Sequence, residues 1–321
     1  MKNGIIMKIY GLQKTTLLDY PEHVAATIFT GGCNFRCPFC QNAGLVLMGK
    51  LTDAEGGNET GAGQMLDKVC PPALIPEEEV FSHLRKRRGI LEGLCITGGE
   101  PTLQADLGGF IERVKELGYA VKLDTNGYRP EVLAELLERG LLDYVAMDIK
   151  ASKENYARAV GLVSQTLCAT WDSLESSKEN YAGAVGLGGD GCGEGAAGSS
   201  DIVWNRRGKS ELRLGRIEES IRLLQGSGIP YEFRTTAVKG LHTVEEFAEI
   251  GRWLAGSRAY FIQSYEEQGE ILGKVQSGTE RGKGNGVLAE DFGSFSVEEL
   301  KQAARLAGKY IARVELRGVT E

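Results

Sequence analysis

The sequence predicts an α/β protein whose central strands run parallel. Two observations support this class: short runs rich in β-branched residues alternate with longer amphipathic stretches, and helical stretches end at glycines such as Gly118 and Gly140. Strict alternation of strand and helix implies right-handed crossovers between parallel strands. This pattern is compatible with an open doubly wound sheet and with a barrel, and periodicity alone does not separate the two.

Seven strands and six helices carry the alternation. The predicted strands are residues 24–30, 93–97, 120–124, 144–149, 231–238, 259–264 and 312–317. The predicted helices are residues 77–88, 105–117, 131–139, 211–225, 243–254 and 297–310. Thr243 begins the fifth of these helices and Glu246 follows three residues later, which predicts a capping box.

The composition is that of an ordinary globular protein, with 42% hydrophobic and 25% charged residues. We expect a single domain over residues 1–321. The net charge of −7 argues against a broad phosphate-binding surface, so no nucleic acid partner is expected. A run of about 18 apolar residues and a secretory signal are both missing from the sequence, which predicts a cytoplasmic protein without a membrane partner.

Three segments interrupt the alternation. Residues 50–75 and 267–295 read as long loops, and the loop at 267–295 begins a C-terminal part, 267–321, that adds a helix and a strand. The third segment, 151–207, contains SKENYARAVGL at 152–162 and a near copy, SKENYAGAVGL, at 177–187. Two copies are too few for a solenoid. We predict a flexible insertion, which is either a plain linker or a contact to a partner.

Three of the seven cysteines lie within GGCNFRCPFC at residues 31–40. Cys33, Cys37 and Cys40 are spaced by four and three residues, directly after the first predicted strand. The others are scattered and are expected to be core residues or loop thiols: Cys70, Cys95, Cys168 and Cys192. Reduced thiols in a reducing compartment fit this distribution better than a disulfide framework does.

Three metal sites could use this cysteine spacing. A structural zinc site needs further ligands, and of the histidines only His83 lies near in sequence. A ferredoxin-type cluster takes a fourth cysteine, which Cys70 or Cys95 could supply only from a distance. In the third alternative, three thiolates hold three irons of a [4Fe–4S] cluster and leave one iron open to a ligand.

Polar residues follow the later strands at their carboxyl ends. The second strand ends in TGGEP at 97–101, whose glycines admit close backbone approach and whose glutamate offers an acceptor to an ammonium group. The third ends in LDTNG at 123–127, the fourth in MDIK at 147–150, and Arg234 lies within the fifth. A plain glycine turn, an internal Asp–Lys ion pair and an exposed arginine are the structural alternatives. In a barrel these ends would converge on one pocket.

The three-cysteine spacing, with Phe39 before the last cysteine, and the TGGEP stretch together resemble the radical S-adenosylmethionine (SAM) superfamily. The resemblance covers residues 8–266 and implies a partial (β/α)6 TIM-type barrel with a long insertion after the fourth strand. It also implies two cofactors, a [4Fe–4S] cluster and SAM. A seventh strand near the C-terminus would be an addition to the family core.

The resemblance implies a role for each motif. The catalytic cluster ligands would be Cys33, Cys37 and Cys40. The residues near SAM would be Phe39, Gly98, Gly99, Glu100, Asp124, Asn126, Asp148, Lys150 and Arg234. Among these, the glycine turn and Glu100 would receive the methionine amino group, and Lys150 and Arg234 its carboxylate. Asp124 and Asn126 would face the ribose and carboxylate end, and Asp148 would face a cation or the sugar.

Gln263 and Tyr265 would lie near the adenine. Two positions depart from the pattern: Gln41, where relatives have histidine or tyrosine, and Glu266, where some have histidine.

The opening IYGLQKTTLLDYPEHVAATIFTGGCNFRCPFCQN is similar to the activating proteins of anaerobic ribonucleoside-triphosphate reductases, a branch of the glycyl-radical enzyme activases. This implies reductive cleavage of SAM and a glycyl radical formed on a partner enzyme that enters through the open barrel. Residues 41–95 hold only two cysteines, so electrons would come from a flavodoxin or ferredoxin. The alternatives are a pyruvate formate-lyase-type partner, a small-molecule substrate, and a non-catalytic Fe–S redox sensor.

Overall fold

The computed structural model describes residues 7–47, 73–162, 203–204, 210–267, 271–277 and 292–319. An eight-stranded sheet forms its centre, in the order β1-β2-β3-β4-β5-β8-β9-β10. These strands are β1 (Ile9–Thr16), β2 (Ala25–Thr30), β3 (Gly93–Gly98), β4 (Ala120–Thr125), β5 (Tyr144–Asp148), β8 (Tyr231–Ala237), β9 (Tyr260–Ser264) and β10 (Val314–Arg317). A separate antiparallel pair consists of β6 (Val203–Trp204) and β7 (Ser210–Glu211).

Seven strands of the large sheet, from β2 to β10, run parallel and stand in chain order. Strands β1 and β10 are the two edges, so the sheet is open. This confirms the predicted partial barrel. The added seventh strand is present as β10, which pairs with β9. The insertion follows β5, the fourth parallel strand. Its residues 163–202 and 205–207 lie outside the described part, so their predicted flexibility and the second repeat copy stay predictions.

The helices connect consecutive parallel strands. They are α1 (Ala43–Leu47), α2 (Glu77–Lys86), α3 (Leu107–Glu116), α4 (Pro130–Glu138), α5 (Tyr156–Ala159), α6 (Leu214–Gly226), α7 (Glu246–Trp253), α8 (Leu272–Ser277) and α9 (Val297–Ala307). Alternate strand residues such as Ile28, Leu123 and Phe233 are fully buried in one core with helix residues such as Phe110. Each such side chain contributes about 1.5–3 kcal/mol by leaving water. No helix in the described ranges is long and apolar enough to span a membrane.

Three local predictions were wrong. Strand β1 was not predicted, because this edge strand pairs antiparallel to β2 and exposes polar residues instead of forming an apolar run. Helix α6 begins at Leu214, since Glu211 belongs to β7. The Thr243 hydroxyl does accept from the Glu246 amide at 3.3 Å, but the Glu246 carboxylate accepts from the amide of Ser152 at 2.8 Å, so the capping box is incomplete.

The other face of the sheet carries charged side chains. Glu232 on β8 is 1% exposed, and it accepts two hydrogen bonds from Arg317 of β10 at 2.6 and 2.7 Å and one from the Tyr144 hydroxyl at 2.8 Å. A buried carboxylate is tolerated only when it is paired in this way. The contact ties the edge strand β10 to the interior of the open barrel.

Replacing Arg317 by Met keeps the aliphatic stem and leaves the Glu232 carboxylate without its cation. We expect the free energy of unfolding to fall by about 2 kcal/mol, a value discounted for the part of Arg317 that solvent reaches. Urea denaturation measures it. The matched control is Arg313→Met, which removes the exposed pair with Glu315 and should cost under about 1 kcal/mol. Equal losses in the two variants would contradict the anchoring role of Arg317.

Candidate active site

The candidate site begins with a cysteine loop, residues 31–42, that leaves the carboxyl end of β2. Its three thiols belong to Cys33, Cys37 and Cys40, and all three are buried or half-buried. The loop backbone is fixed on two sides: the Arg36 amide donates to the Val160 carbonyl at 3.0 Å, and the Leu272 amide of α8 donates to the Cys40 carbonyl at 2.9 Å. The thiols are therefore held on a short loop with little freedom to move.

Burial is the main influence on these thiols. It raises the pKa of Cys33 to about 12, with a further contribution from the nearby Glu100 carboxylate. Burial also raises the pKa of Cys37 and of Cys40. Thiolates are the form that binds metal. Positive charge from a bound metal centre would replace the protons that burial otherwise favours on these sulfurs.

A glycine turn at the end of β3 lies directly against the cysteine loop. The Gly99 amide donates to the Thr30 carbonyl and the Glu100 amide to the Gly32 carbonyl, both at 2.8 Å. Gly98 has a φ of 115°, which favours glycine. A Cβ on Gly99 would lie 1.9 Å from the Gly32 carbonyl oxygen. The approach of these two loops therefore requires a residue without a side chain at Gly99.

Glu100 uses its side chain inside the protein. Its carboxylate is 1% exposed and accepts four hydrogen bonds from the protein: two from Thr102, one from the Thr125 hydroxyl at 2.7 Å and one from the Asn126 amide at 2.7 Å. Burial raises the pKa of Glu100, and these hydrogen bonds oppose the rise. The side chain joins the ends of β3 and β4.

Asn126 also uses its side chain inside the protein. Its Oδ1 accepts from the Tyr128 amide at 3.0 Å, and its Nδ2 donates to Asn34 Oδ1 at 2.8 Å. The same Nδ2 lies 4.0 Å from Cys33 Sγ. The predicted contact to the ribose or carboxylate of SAM would compete with these bonds. In the structure the bonds hold the Asn126 side chain against Asn34 of the cysteine loop.

Five charged side chains form a continuous network on the polar face of the sheet. Asp124 pairs with two cations: its Oδ1 lies 2.6 Å from Lys122 Nζ, and its Oδ2 lies 3.1 Å from Arg234 Nη1. Asp148 also pairs with two: its Oδ1 lies 2.9 Å from Arg234 Nε, and its Oδ2 lies 2.9 Å from Lys150 Nζ. Three cations alternate with two anions, so the network keeps one net positive charge. The ion-pair alternative considered from the sequence is therefore present, and it includes Arg234.

The Lys150 end of the network lies nearest to the cysteines. Burial alone would raise the pKa of Asp148, but Arg234 and Lys150 hold it well below its ordinary value. Burial would likewise lower the pKa of Lys150, but Asp148 and the Cys37 sulfur raise it. Both side chains keep some exposure, 29% for Asp148 and 20% for Lys150. They are therefore charged groups that a polar ligand could reach.

Sequence reasoning missed His242, which holds the main chain at Lys150. His242 is buried; its Nδ1 accepts from the Val238 amide at 3.0 Å, which leaves Nε2 to donate to the Lys150 carbonyl at 2.9 Å. Burial lowers the pKa of His242, so the ring stays neutral. Glu246 holds the amide of Ser152. His242 follows the carboxyl end of β8 as the other motifs follow their strands, and that position was the available signal.

The remaining predicted residues lie around the cysteine loop. Phe39 is buried in the main core with Cys37. The side-chain amide of Gln41 donates to the main-chain carbonyl of Glu266. This contact brings the segment after β9, including Tyr265, to the cysteine loop. Gln263 lies on β9 next to Arg317 of β10 in register. The two positions that depart from the family pattern therefore contact each other beside the cysteines.

The donor set fits an iron–sulfur cluster. Among the described residues, no three His, Cys, Asp or Glu side chains are grouped as ligands of one metal ion. The ligands of an iron–sulfur cluster need not converge on one metal ion, because each thiolate binds a separate iron. Cys95, the other described cysteine, lies on β3 with its sulfur 3.8 Å from Lys122 Nζ, away from the cysteine loop. Within the cysteine loop, the side-chain nitrogen Nδ2 of Asn34 is a buried donor with no acceptor in the described ranges. A donor that faces a cluster sulfur would have this environment.

The chain is similar to several known proteins. The family model described as the Radical SAM superfamily matches residues 27–190. A Methanocaldococcus jannaschii protein described as a "putative glycyl-radical enzyme activating enzyme" is 35% identical over 315 residues, which cover 97% of this chain and 96% of the relative. The 7-carboxy-7-deazaguanine synthase of Thermococcus kodakarensis is 32% identical over a stretch that covers 37% of this chain and 46% of the synthase.

Among solved structures, that of anSMEcpe with bound AdoMet overlaps 89% of this chain and 62% of the anSMEcpe chain, at 14% identity and a TM-score of 0.44.

The chain belongs to the radical SAM superfamily. Enzymes of this superfamily use a [4Fe–4S] cluster and SAM, and these are its cofactors. The family leaves the substrate of the chain to be inferred.

Replacing Gly99 by Ala should push the glycine turn away from the cysteine loop, because the added Cβ meets main-chain atoms that cannot rotate aside. We expect a loss of about 3 kcal/mol in stability and weaker iron retention. Thermal unfolding and iron analysis measure both. Gly215→Ala is the control: nothing lies within 4 Å of its Cβ position in α6, and it should gain about 0.5 kcal/mol. Normal iron retention in Gly99→Ala would contradict the need for close approach.

Proposed function

We propose that this chain is a glycyl-radical enzyme activating enzyme whose protein partner is an anaerobic ribonucleoside-triphosphate reductase. The observation that carries the proposal is the cysteine loop, three thiols on one loop next to a glycine turn and a charged network, on an open sheet. Two further points support it. The M. jannaschii relative is similar over nearly its whole length, and the opening segment resembles reductase activating proteins.

We assign the residues as follows. Cys33, Cys37 and Cys40 would each hold one iron of the [4Fe–4S] cluster, which would leave one iron open to SAM. When bound, the cluster supplies the electron that cleaves SAM, which allows hydrogen abstraction from an unactivated C–H bond. The chain binds SAM, orients it and excludes water.

The charged network supplies the polar contacts to SAM in this proposal. Lys150 is the member that combines charge, partial exposure and proximity to Cys37, so it would meet the SAM carboxylate. Asp148 would then hold the sugar or a cation beside it, and Arg234 would orient Asp148 through its Nε donor at 2.9 Å. Gly98 and Gly99 would offer main-chain carbonyls to the amino group.

The open edge of the barrel suits a protein substrate. Strands β1 and β10 do not pair with each other, so in the described part of the chain the sheet has a lateral opening through which a glycine-bearing loop could reach SAM. A flavodoxin or ferredoxin would deliver the electron. A small-molecule substrate would need this opening to be covered.

Replacing Cys37 by Ala should abolish cluster binding, because two thiolates remain where three irons need ligands. We expect iron to fall from about four per chain to near zero after anaerobic reconstitution, with the absorbance of the cluster lost as well. Cys95→Ala is the matched control, since it removes an equally buried thiol that contacts Lys122 instead of the loop. The ligand assignment would be refuted if Cys37→Ala kept its iron and Cys95→Ala lost it.

The partner is tested by electron paramagnetic resonance. Reconstituted protein, SAM, a strong reductant and an anaerobic ribonucleotide reductase should give 5′-deoxyadenosine and a glycine-centred doublet, and Cys37→Ala should give neither. A doublet obtained only with a pyruvate formate-lyase-type protein would keep the activase class and overturn the partner. Turnover of SAM without a doublet on any such protein would favour a small-molecule enzyme, and intact SAM would favour a redox sensor.

A further inference from the structure

A chain of side-chain hydrogen bonds ends at the cysteine loop in an unused donor. The Tyr128 amide donates to Asn126 Oδ1, which fixes the orientation of the Asn126 amide and directs its Nδ2 to Asn34 Oδ1 at 2.8 Å. Because Asn34 accepts through Oδ1, its own Nδ2 must be the remaining group. That nitrogen is shielded from solvent and has no acceptor within the described ranges.

Several anchors keep this chain in place. The Asn126 main-chain amide donates to the buried carboxylate of Glu100 at 2.7 Å, so Asn126 is held at both its backbone and its side chain. Asn34 directly follows Cys33, and its Oδ1 lies 3.9 Å from Cys33 Sγ. The Phe35 amide lies 3.4 Å from the same sulfur. The donors nearest to Cys33 Sγ are thus the Phe35 amide at 3.4 Å and Asn126 Nδ2 at 4.0 Å, while Asn34 Oδ1 lies beside the same sulfur as an acceptor.

An unsatisfied buried N–H is costly, and native structures seldom keep one without a use. We propose that Asn34 donates this N–H to a sulfur of the [4Fe–4S] cluster at the Cys33 corner and thereby raises the reduction potential of the cluster. The inference rests on the proposed cluster and goes further, since Asn34 is a tuning residue and not a ligand. Glu100, Asn126 and Tyr128 position it.

The sign of the effect follows from charge. Reduction adds one electron to the cluster, and an N–H donor stabilises the more negative state more than the oxidised one. Hydrogen bonds to the sulfurs are among the factors that set Fe–S potentials. Removing the donor should therefore make the cluster harder to reduce, with its iron content unchanged.

The test compares N34L with N42L, both reconstituted anaerobically without SAM and titrated by electron paramagnetic resonance of the reduced cluster. At a fixed potential, N34L should show an about tenfold lower ratio of reduced to oxidised cluster, which is a midpoint about 59 mV lower for a one-electron couple. N42L is the matched control, because Asn42 is exposed and its Nδ2 lies 3.4 Å from the Gly98 carbonyl. Its midpoint should stay at the wild-type value.

A second measurement keeps the inference testable if N34L fails to load iron. Wild-type protein grown with isotopically labelled asparagine should show a side-chain nitrogen coupled to the reduced cluster by pulsed resonance. Equal midpoints for N34L and wild type, equal shifts in N34L and N42L, or no asparagine coupling would each overturn the proposal while the cluster itself stands. A shift that occurs only with SAM would overturn it too, because Asn34 would then donate to SAM. Wild-type protein without iron would instead refute the proposed function.

Discussion

The site depends on the contact between the glycine turn after β3 and the cysteine loop after β2. Two main-chain hydrogen bonds, from Gly99 to Thr30 and from Glu100 to Gly32, join the loops at a separation that excludes a side chain at Gly99. Below this contact, the buried carboxylate of Glu100 binds the end of β4 to the same turn. Three neighbouring strand ends therefore act as one rigid support for any cofactor bound above them.

Burial of charge on the polar face of the sheet is possible because almost every charge is paired. The network from Lys122 to Lys150 alternates in sign, and Glu232 is balanced by Arg317. A buried network of this kind costs desolvation free energy, which its mutual attraction and hydrogen bonds offset. Both ends of the network are lysines, and the Lys150 end interacts with the sulfur of Cys37. The network therefore joins three neighbouring parallel strands through paired charges.

The sequence alone predicted the parallel strands and the positions of the motifs, because apolar runs and cysteine spacing are local features. It could not predict the partners of the polar side chains. Glu100 and Asn126 were predicted as ligand contacts, and their hydrogen bonds to residues 25 and 92 positions away could not be read from the sequence. Asn34 and His242 were missed for the same reason, since their importance lies in tertiary hydrogen bonds. The edge strand β1 lacks the apolar run that marks a buried strand.

The central claim is that three cysteines of one loop hold a cluster whose fourth iron binds SAM. The most direct measurement is electron–nuclear double resonance on the reduced protein with SAM labelled in its amino and carboxylate groups. The account predicts couplings from both groups to the cluster, as a chelate on one iron would give. Couplings from a protein side chain on the fourth iron, with none from SAM, would contradict it.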